Sequence, residues 1–89
     1  MEKLTDSPNI GATLAEKLEN IGVASLEEVR KAGSKDLLAR LAARDRNGVC
    51  LLMLYALEGA VQGIRWYGLS QDKKDELKSF YEAEIISWS

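Results

Sequence analysis

The sequence predicts an all-α fold, a compact five-helix domain whose fourth helix is buried at the centre. Three observations carry this. Apolar residues recur at three- and four-residue spacing in successive stretches, Ser, Gly and Pro punctuate the gaps, and no stretch alternates as a strand would. With 89 residues, 46% of them hydrophobic, the chain reads as a single small domain over 1–89, near the size at which one core is only just sufficient.

Residues Met1 to Ser7 are expected to form a lead-in of about one helical turn from near Glu2, anchored by Leu4. Pro8 ends it, because the residue before a proline is pushed out of the helical region. After the tight turn Pro8-Asn9-Ile10-Gly11, the side chains of Ile10, Leu14, Ala15, Leu18 and Ile21 fall on one helical face. Thr13, Glu16, Lys17, Glu19 and Asn20 fall on the other. Gly22 is expected to close this first helix in the left-handed conformation.

Ser25 and Glu28 have the spacing of a capping box at the start of a second helix, with Leu26 and Val29 inward and Gly33 as the stop. Ser34 is then expected to cap a third helix. There Leu37, Leu38 and Leu41 form the buried stripe, and Lys35, Arg40 and Arg44 stand outside.

The fourth helix is expected from Asn47 or Gly48 to Gln62. Between Val49 and Gln62 only Glu58 and Gln62 are strongly polar, and a helix apolar nearly all round is surrounded by the rest of its fold. Ala56, Gly59, Ala60 and Gly63 form a ridge of small side chains along which another helix could approach closely. Cys50 reads as a buried small hydrophobe in the same helix. Leu69 and Ser70 then supply a staple and N-cap for a last helix, Gln71 to about Ile86, with Leu77, Phe80, Tyr81 and Ile85 inside. Lys73, Lys74, Asp75, Lys78 and Glu82 fall on its outer face, and Trp88 follows in the tail as a residue that either frays or docks.

Composition narrows the function classes. Twelve basic and fourteen acidic side chains, with no His, give a formal charge of −2, so any DNA contact needs a local basic patch. One Cys allows no internal disulfide, and Met1-Glu2-Lys3-Leu4 lacks the pattern of a signal peptide, so a cytoplasmic location is expected. The longest apolar run, Val49 to Leu57, has nine residues, too few for a bilayer span of roughly 20. Without His or a second Cys, neither a metal site nor a nucleophilic centre has support, and Glu58 has no acid partner at the next helical turn. No catalytic residue, cofactor, metal or membrane partner is expected.

Pro8-Asn9-Ile10-Gly11, then Leu14-Ala15, Leu18, Gly22-Val23 and Ser25-Leu26-Glu27-Glu28, resembles a helix-hairpin-helix element. Taken together with Gly48-Val49-Cys50-Leu51, Leu54-Tyr55-Ala56-Leu57-Glu58-Gly59-Ala60 and Gly63-Ile64-Arg65-Trp66, the chain resembles the C-terminal domain of the TfoX (Sxy) competence regulators along nearly its whole length. The resemblance implies a bacterial cytoplasmic protein associated with transcriptional control of DNA uptake. Full-length members carry a further N-terminal domain that is not part of this chain.

Three candidate surfaces follow. The hairpin resemblance implies phosphate held by backbone amides around Asn9, Gly11, Ala12 and Thr13, with the charge that usually follows the glycine replaced here by Ala12-Thr13. Asn9 tolerates a left-handed turn. The alternative is that the hairpin only fixes an interhelical angle. The segment Arg30 to Arg46 holds six basic side chains against two acidic ones, so Lys35, Arg40 and Arg44, with Lys17, could join the hairpin as an electrostatic DNA surface or simply form solvated faces. Arg65, Trp66 and Tyr67 are either a partner-binding or base-stacking patch, or a lid in which Trp66 folds back and Arg65 pairs with Glu58. The expectation is a non-enzymatic binding module that contacts DNA or the transcription machinery. The alternative is a protein-interaction domain, including a homodimer, with no nucleic-acid role.

Overall fold

The computed structural model of the chain describes residues 3–86. Among these residues five α-helices follow one another: α1 (Ala12–Asn20), α2 (Leu26–Ala32), α3 (Ser34–Arg44), α4 (Leu51–Gln62) and α5 (Gln71–Glu84). Short 3-10 turns occur at Leu4–Asp6, Arg46–Gly48 and Trp66–Gly68. The lead-in is therefore one 3-10 turn, and the Pro8–Gly11 turn joins it to α1 rather than joining two α-helices. Trp88 lies outside the described residues.

Helix ends follow from local chemistry. At the end of α1 the Gly22 N–H bonds Glu19 O at 3.0 Å and the Val23 N–H bonds Leu18 O at 2.9 Å, the paired closure that needs a left-handed residue, and Gly22 has φ 86°. Ser25 Oγ accepts the Glu28 N–H at 3.3 Å. The Glu28 carboxylate accepts from the Ser25 hydroxyl rather than from its backbone, which pairs with Lys3 in an isolated antiparallel bridge. Ser34 is not the cap of α3. Gly33 takes that position at φ 86°, which L side chains rarely adopt, and so turns the chain directly from α2 into α3. Buried Ser34 becomes the first residue of α3, and its hydroxyl donates to Glu58 at 2.6 Å.

Leu18, Val29, Leu37, Leu38, Leu54, Leu57 and Leu77 are fully buried and bring all five helices to one core. Each such side chain contributes roughly 1.5–3 kcal/mol relative to exposure. The central position belongs to α4, which packs against α2, α3, α5 and the Trp66–Gly68 turn. Its N-terminal end differs from expectation. The chain between Arg46 and Gly48 forms a separate turn, α4 starts at Leu51, Cys50 is an exposed N-cap residue, and Leu52 is 57% exposed. At Gly59 the nearest neighbours of the small-residue ridge do not belong to another α-helix. A Cβ there would lie 2.8 Å from Asn9 Nδ2, 2.9 Å from Ile64 O and 3.1 Å from Trp66 N, so the glycine admits the hairpin side chain and the loop backbone.

Candidate functional site

The hairpin and the Ile64–Trp66 loop form one structural unit. Asn9 Nδ2 donates to Ile64 O at 2.6 Å, and Asn9 Oδ1 accepts the Trp66 N–H at 2.8 Å. A carboxamide supplies one donor and one acceptor, which is what two backbone groups on an extended loop require. Asn9 is not in a left-handed conformation, since no described residue other than glycine has positive φ. Its side chain staples two segments of chain, and its backbone N–H, which the hairpin resemblance assigned to phosphate, donates to Ser7 Oγ at 3.3 Å.

Trp66 lies at the centre of this edge. Its ring stacks with Tyr55 at 6.2 Å between centroids and 14° between planes, and Tyr67 meets it edge-on at 5.9 Å and 83°. Lys74 Nζ stands 5.8 Å from the Trp66 ring centroid, so this lysine of α5 serves the aromatic cluster rather than a solvated outer face. Tyr67 is 62% exposed. Beside the half-buried Trp66 opens a cleft of about 300 Å³, lined by Pro8, Asn9, Leu14, Leu52, Met53, Ala56 and Trp66. Leu52, Ile64 and Tyr67 are three of the four large hydrophobics exposed among the described residues. Leu52 lines the cleft, Tyr67 packs on Trp66, and the Ile64 carbonyl is held by Asn9.

The pairing of Arg65 with Glu58 is not formed. Glu58 instead accepts the Ser34 hydroxyl at 2.6 Å and the Gln62 side-chain amide at 2.8 Å. Arg65 is exposed and makes no ion pair among the described residues. Trp66 is partly folded back, as a lid would be, and partly presented.

The basic side chains do not gather beside the hairpin. Lys35 pairs with Glu76 of α5 at 2.7 Å and stands over the Phe80 ring at 5.7 Å, and Arg40 pairs with Asp36 at 2.8 Å on its own helix. Arg46 donates to Ile85 O at 2.7 Å. Arg30 lines a small cleft with Pro8 and Ile64, whereas Arg44 shares another with Lys17, Asn20 and Asp45. A Cβ on Gly48 would lie 2.9 Å from both Lys17 Nζ and the Asp45 carboxyl carbon, which places Lys17 near an acid. Glu76 receives Lys35 and Lys73, whose hydrogen bonds and charges hold its carboxyl below the usual glutamate range.

Gly11, Ala12 and Thr13 are exposed at the start of α1, and Gly11 caps it without a side-chain hydrogen bond. The first turn holds no acidic residue. The turn amides of Asn9 and Ile10 donate to Ser7, at 3.3 Å to its hydroxyl and 3.1 Å to its carbonyl, so it is the amides at the start of α1 that remain open, while Lys35, Arg40 and Arg46 are directed to acids and carbonyls elsewhere. Pro8, Leu14, Leu52, Met53 and Lys74, which complete the Trp66 edge, were not legible as site residues. For Leu52 and Met53 the only signal was the excess of apolar residues at the start of α4, which reads equally as burial, whereas Pro8 and Leu14 read as turn and core and Lys74 as an outer-face residue of α5.

No helix among the described residues is long and apolar enough to cross a membrane, and no group of three or more His, Cys, Asp or Glu side chains is placed to hold a metal ion. Fold and surface together define a small helical domain with an aromatic edge. The chain belongs to the TfoX C-terminal domain family, whose model matches residues 1–81. It is similar to a crystal structure of an uncharacterized protein from Listeria monocytogenes in a triclinic form, with TM-score 0.87 and 46% identity over 91% of each chain. A tetragonal crystal structure of a Listeria monocytogenes protein of unknown function matches with TM-score 0.85 and 46% identity, covering 90% of this chain and 96% of that one. Comparison with curated proteins finds no significant match.

Proposed function

We propose that this domain is a non-enzymatic binding module that docks another protein on the edge formed by Trp66, Tyr67, Leu52 and Met53. The observation that carries the reading is that three of the four large hydrophobics exposed among the described residues, Leu52, Ile64 and Tyr67, lie in or next to the edge built on Trp66, where Leu52 and Met53 line an open cleft. Aromatic and Arg side chains are the usual anchors of interfaces, and Arg65, Trp66 and Tyr67 supply them here. In-cell photocrosslinking tests it. A benzophenone side chain replacing Leu52 is expected to yield a discrete protein adduct, and one replacing exposed Glu27 on α2 is not. Equal labelling from both positions, or none from position 52, would overturn the proposal.

A second reading keeps DNA or the transcription machinery as the partner, through the hairpin. Its support is the uncapped, exposed start of α1 and the shared position of Lys17 and Arg44. Against it stand the formal charge of −2 and the ion pairs that neutralise Lys35 and Arg40. Duplex DNA titrated at ~50 mM salt, where electrostatic affinity is high, separates the two. Saturable, salt-sensitive NMR shifts at Gly11, Ala12, Thr13, Lys17 and Arg44 would establish this second reading.

A further inference from the structure

The cleft beside Trp66 has a definite chemical character. Leu14, Leu52, Met53 and Ala56 give it an aliphatic wall, and no acidic residue lines it. Met53 and Leu52 can adjust to side chains of different shape, since unbranched and exposed chains repack at low cost. Lys74 Nζ stands 5.8 Å from the Trp66 ring centroid, and exposed Arg65, next to Trp66 in the chain, has no acid partner among the described residues. In a chain whose formal charge is negative, both cations adjoin Trp66, which forms part of the cleft wall, and neither lines the cleft itself.

Resting on the protein-docking reading above, we propose that the Leu52–Trp66 cleft takes an acidic peptide segment, with one bulky apolar side chain seated in the cleft and carboxylates directed to Lys74 and Arg65. An apolar side chain displaces water from the aliphatic wall, which is the main source of affinity. Carboxylates beside Lys74 and Arg65 set orientation and discriminate against basic partners. A nucleic acid supplies the charge but has no side chain for the wall formed by Leu14, Leu52 and Met53. A peptide supplies both.

The test uses two fluorescein-labelled peptides with identical Leu and Phe positions, one spaced by Asp and Glu and the other by Lys. The acidic peptide is expected to bind at least about tenfold more tightly, with the difference shrinking as salt rises. Leu52→Asp changes an exposed position and should abolish binding while leaving the circular dichroism spectrum unchanged. The double variant Arg65→Glu, Lys74→Glu should remove or invert the preference for the acidic peptide. Equal binding of the two peptides, or an unchanged preference in the double variant, would overturn the charge assignment and leave apolar docking in place. Binding of neither peptide would overturn the inference, and the crosslink from position 52 would then report on the broader proposal alone. Single-stranded DNA binding in place of the acidic peptide would also overturn it.

Discussion

Asn9 and Trp66 are 57 residues apart in sequence, and the Asn9 side-chain oxygen accepts the Trp66 backbone N–H at 2.8 Å. The same carboxamide donates to Ile64 O at 2.6 Å, so one side chain fixes both the hairpin and the loop that presents Trp66. Asn9→Ala removes both bonds and leaves the loop groups to find water. A loss of about 1–3 kcal/mol is expected from a denaturant midpoint measured without a change in slope. In a Trp88→Phe background, the fluorescence of Trp66 should shift as its turn loosens. Asn9→Asp retains the acceptor but sets a carboxylate against the Ile64 carbonyl, and should be no more stable than Asn9→Ala.

Gly59→Ala would ordinarily gain close to 1 kcal/mol of helix propensity. Here the added Cβ would lie 2.8 Å from Asn9 Nδ2 and 2.9 Å from Ile64 O, so the substitution is expected to destabilise. Because the clash acts through the Asn9 contact, Asn9→Ala combined with Gly59→Ala should cost less than the sum of the two. The double-mutant cycle reads this directly.

Ser34→Ala leaves the half-buried Glu58 carboxylate with Gln62 as its remaining side-chain donor. Hydrogen bonds to charged groups are worth about 1.5–3 kcal/mol, so a loss toward that range is expected in urea unfolding. Ser34→Ala made together with Glu58→Gln should lose less than the two separate losses combined. Additive losses would show that the hydroxyl and the carboxylate do not act as a pair.

Helix order and most of the core were legible because Leu14, Leu18, Leu37, Leu38, Leu41 and Leu77 sit at helical spacing and are all buried. Helix starts were less legible. Ser34 has the chemistry of a cap, yet Gly33 supplies the required turn and frees Ser34 for Glu58. Cys50 and Leu52 resemble their buried neighbours in a run of nine apolar residues, and periodicity does not distinguish the end of a central helix from its middle. The candidate site was legible only at Arg65-Trp66-Tyr67, where aromatics lie between glycines. The Asn9 staple and the position of Lys74 depend on contacts between segments far apart in sequence, which local patterns do not encode.

The Lys35 and Lys73 contacts depress the Glu76 carboxyl, so its stabilising contribution is fully present above the ordinary glutamate value, near pH ~4.3, and is lost as the pH falls through its lowered folded value. Tm is therefore expected to fall more steeply with acidification in the native protein than in Glu76→Gln over the range just below that value. Lys35→Met should flatten the same segment, because it removes the partner with the largest effect on Glu76. The change is expected to be small, since the side chains are exposed and solvent screens the pair.

Co-purification from the protein's own cells tests the Trp66 edge against the basic cleft most directly. Tagged native protein, Leu52→Asp and Arg44→Glu would be compared by quantitative mass spectrometry, with and without nuclease. Loss of the same associated protein in Leu52→Asp, with its retention in Arg44→Glu and after nuclease, is the expected result. Retention in Leu52→Asp, with loss in Arg44→Glu or on nuclease treatment, would contradict it and place the working surface at the hairpin and its nucleic-acid contacts.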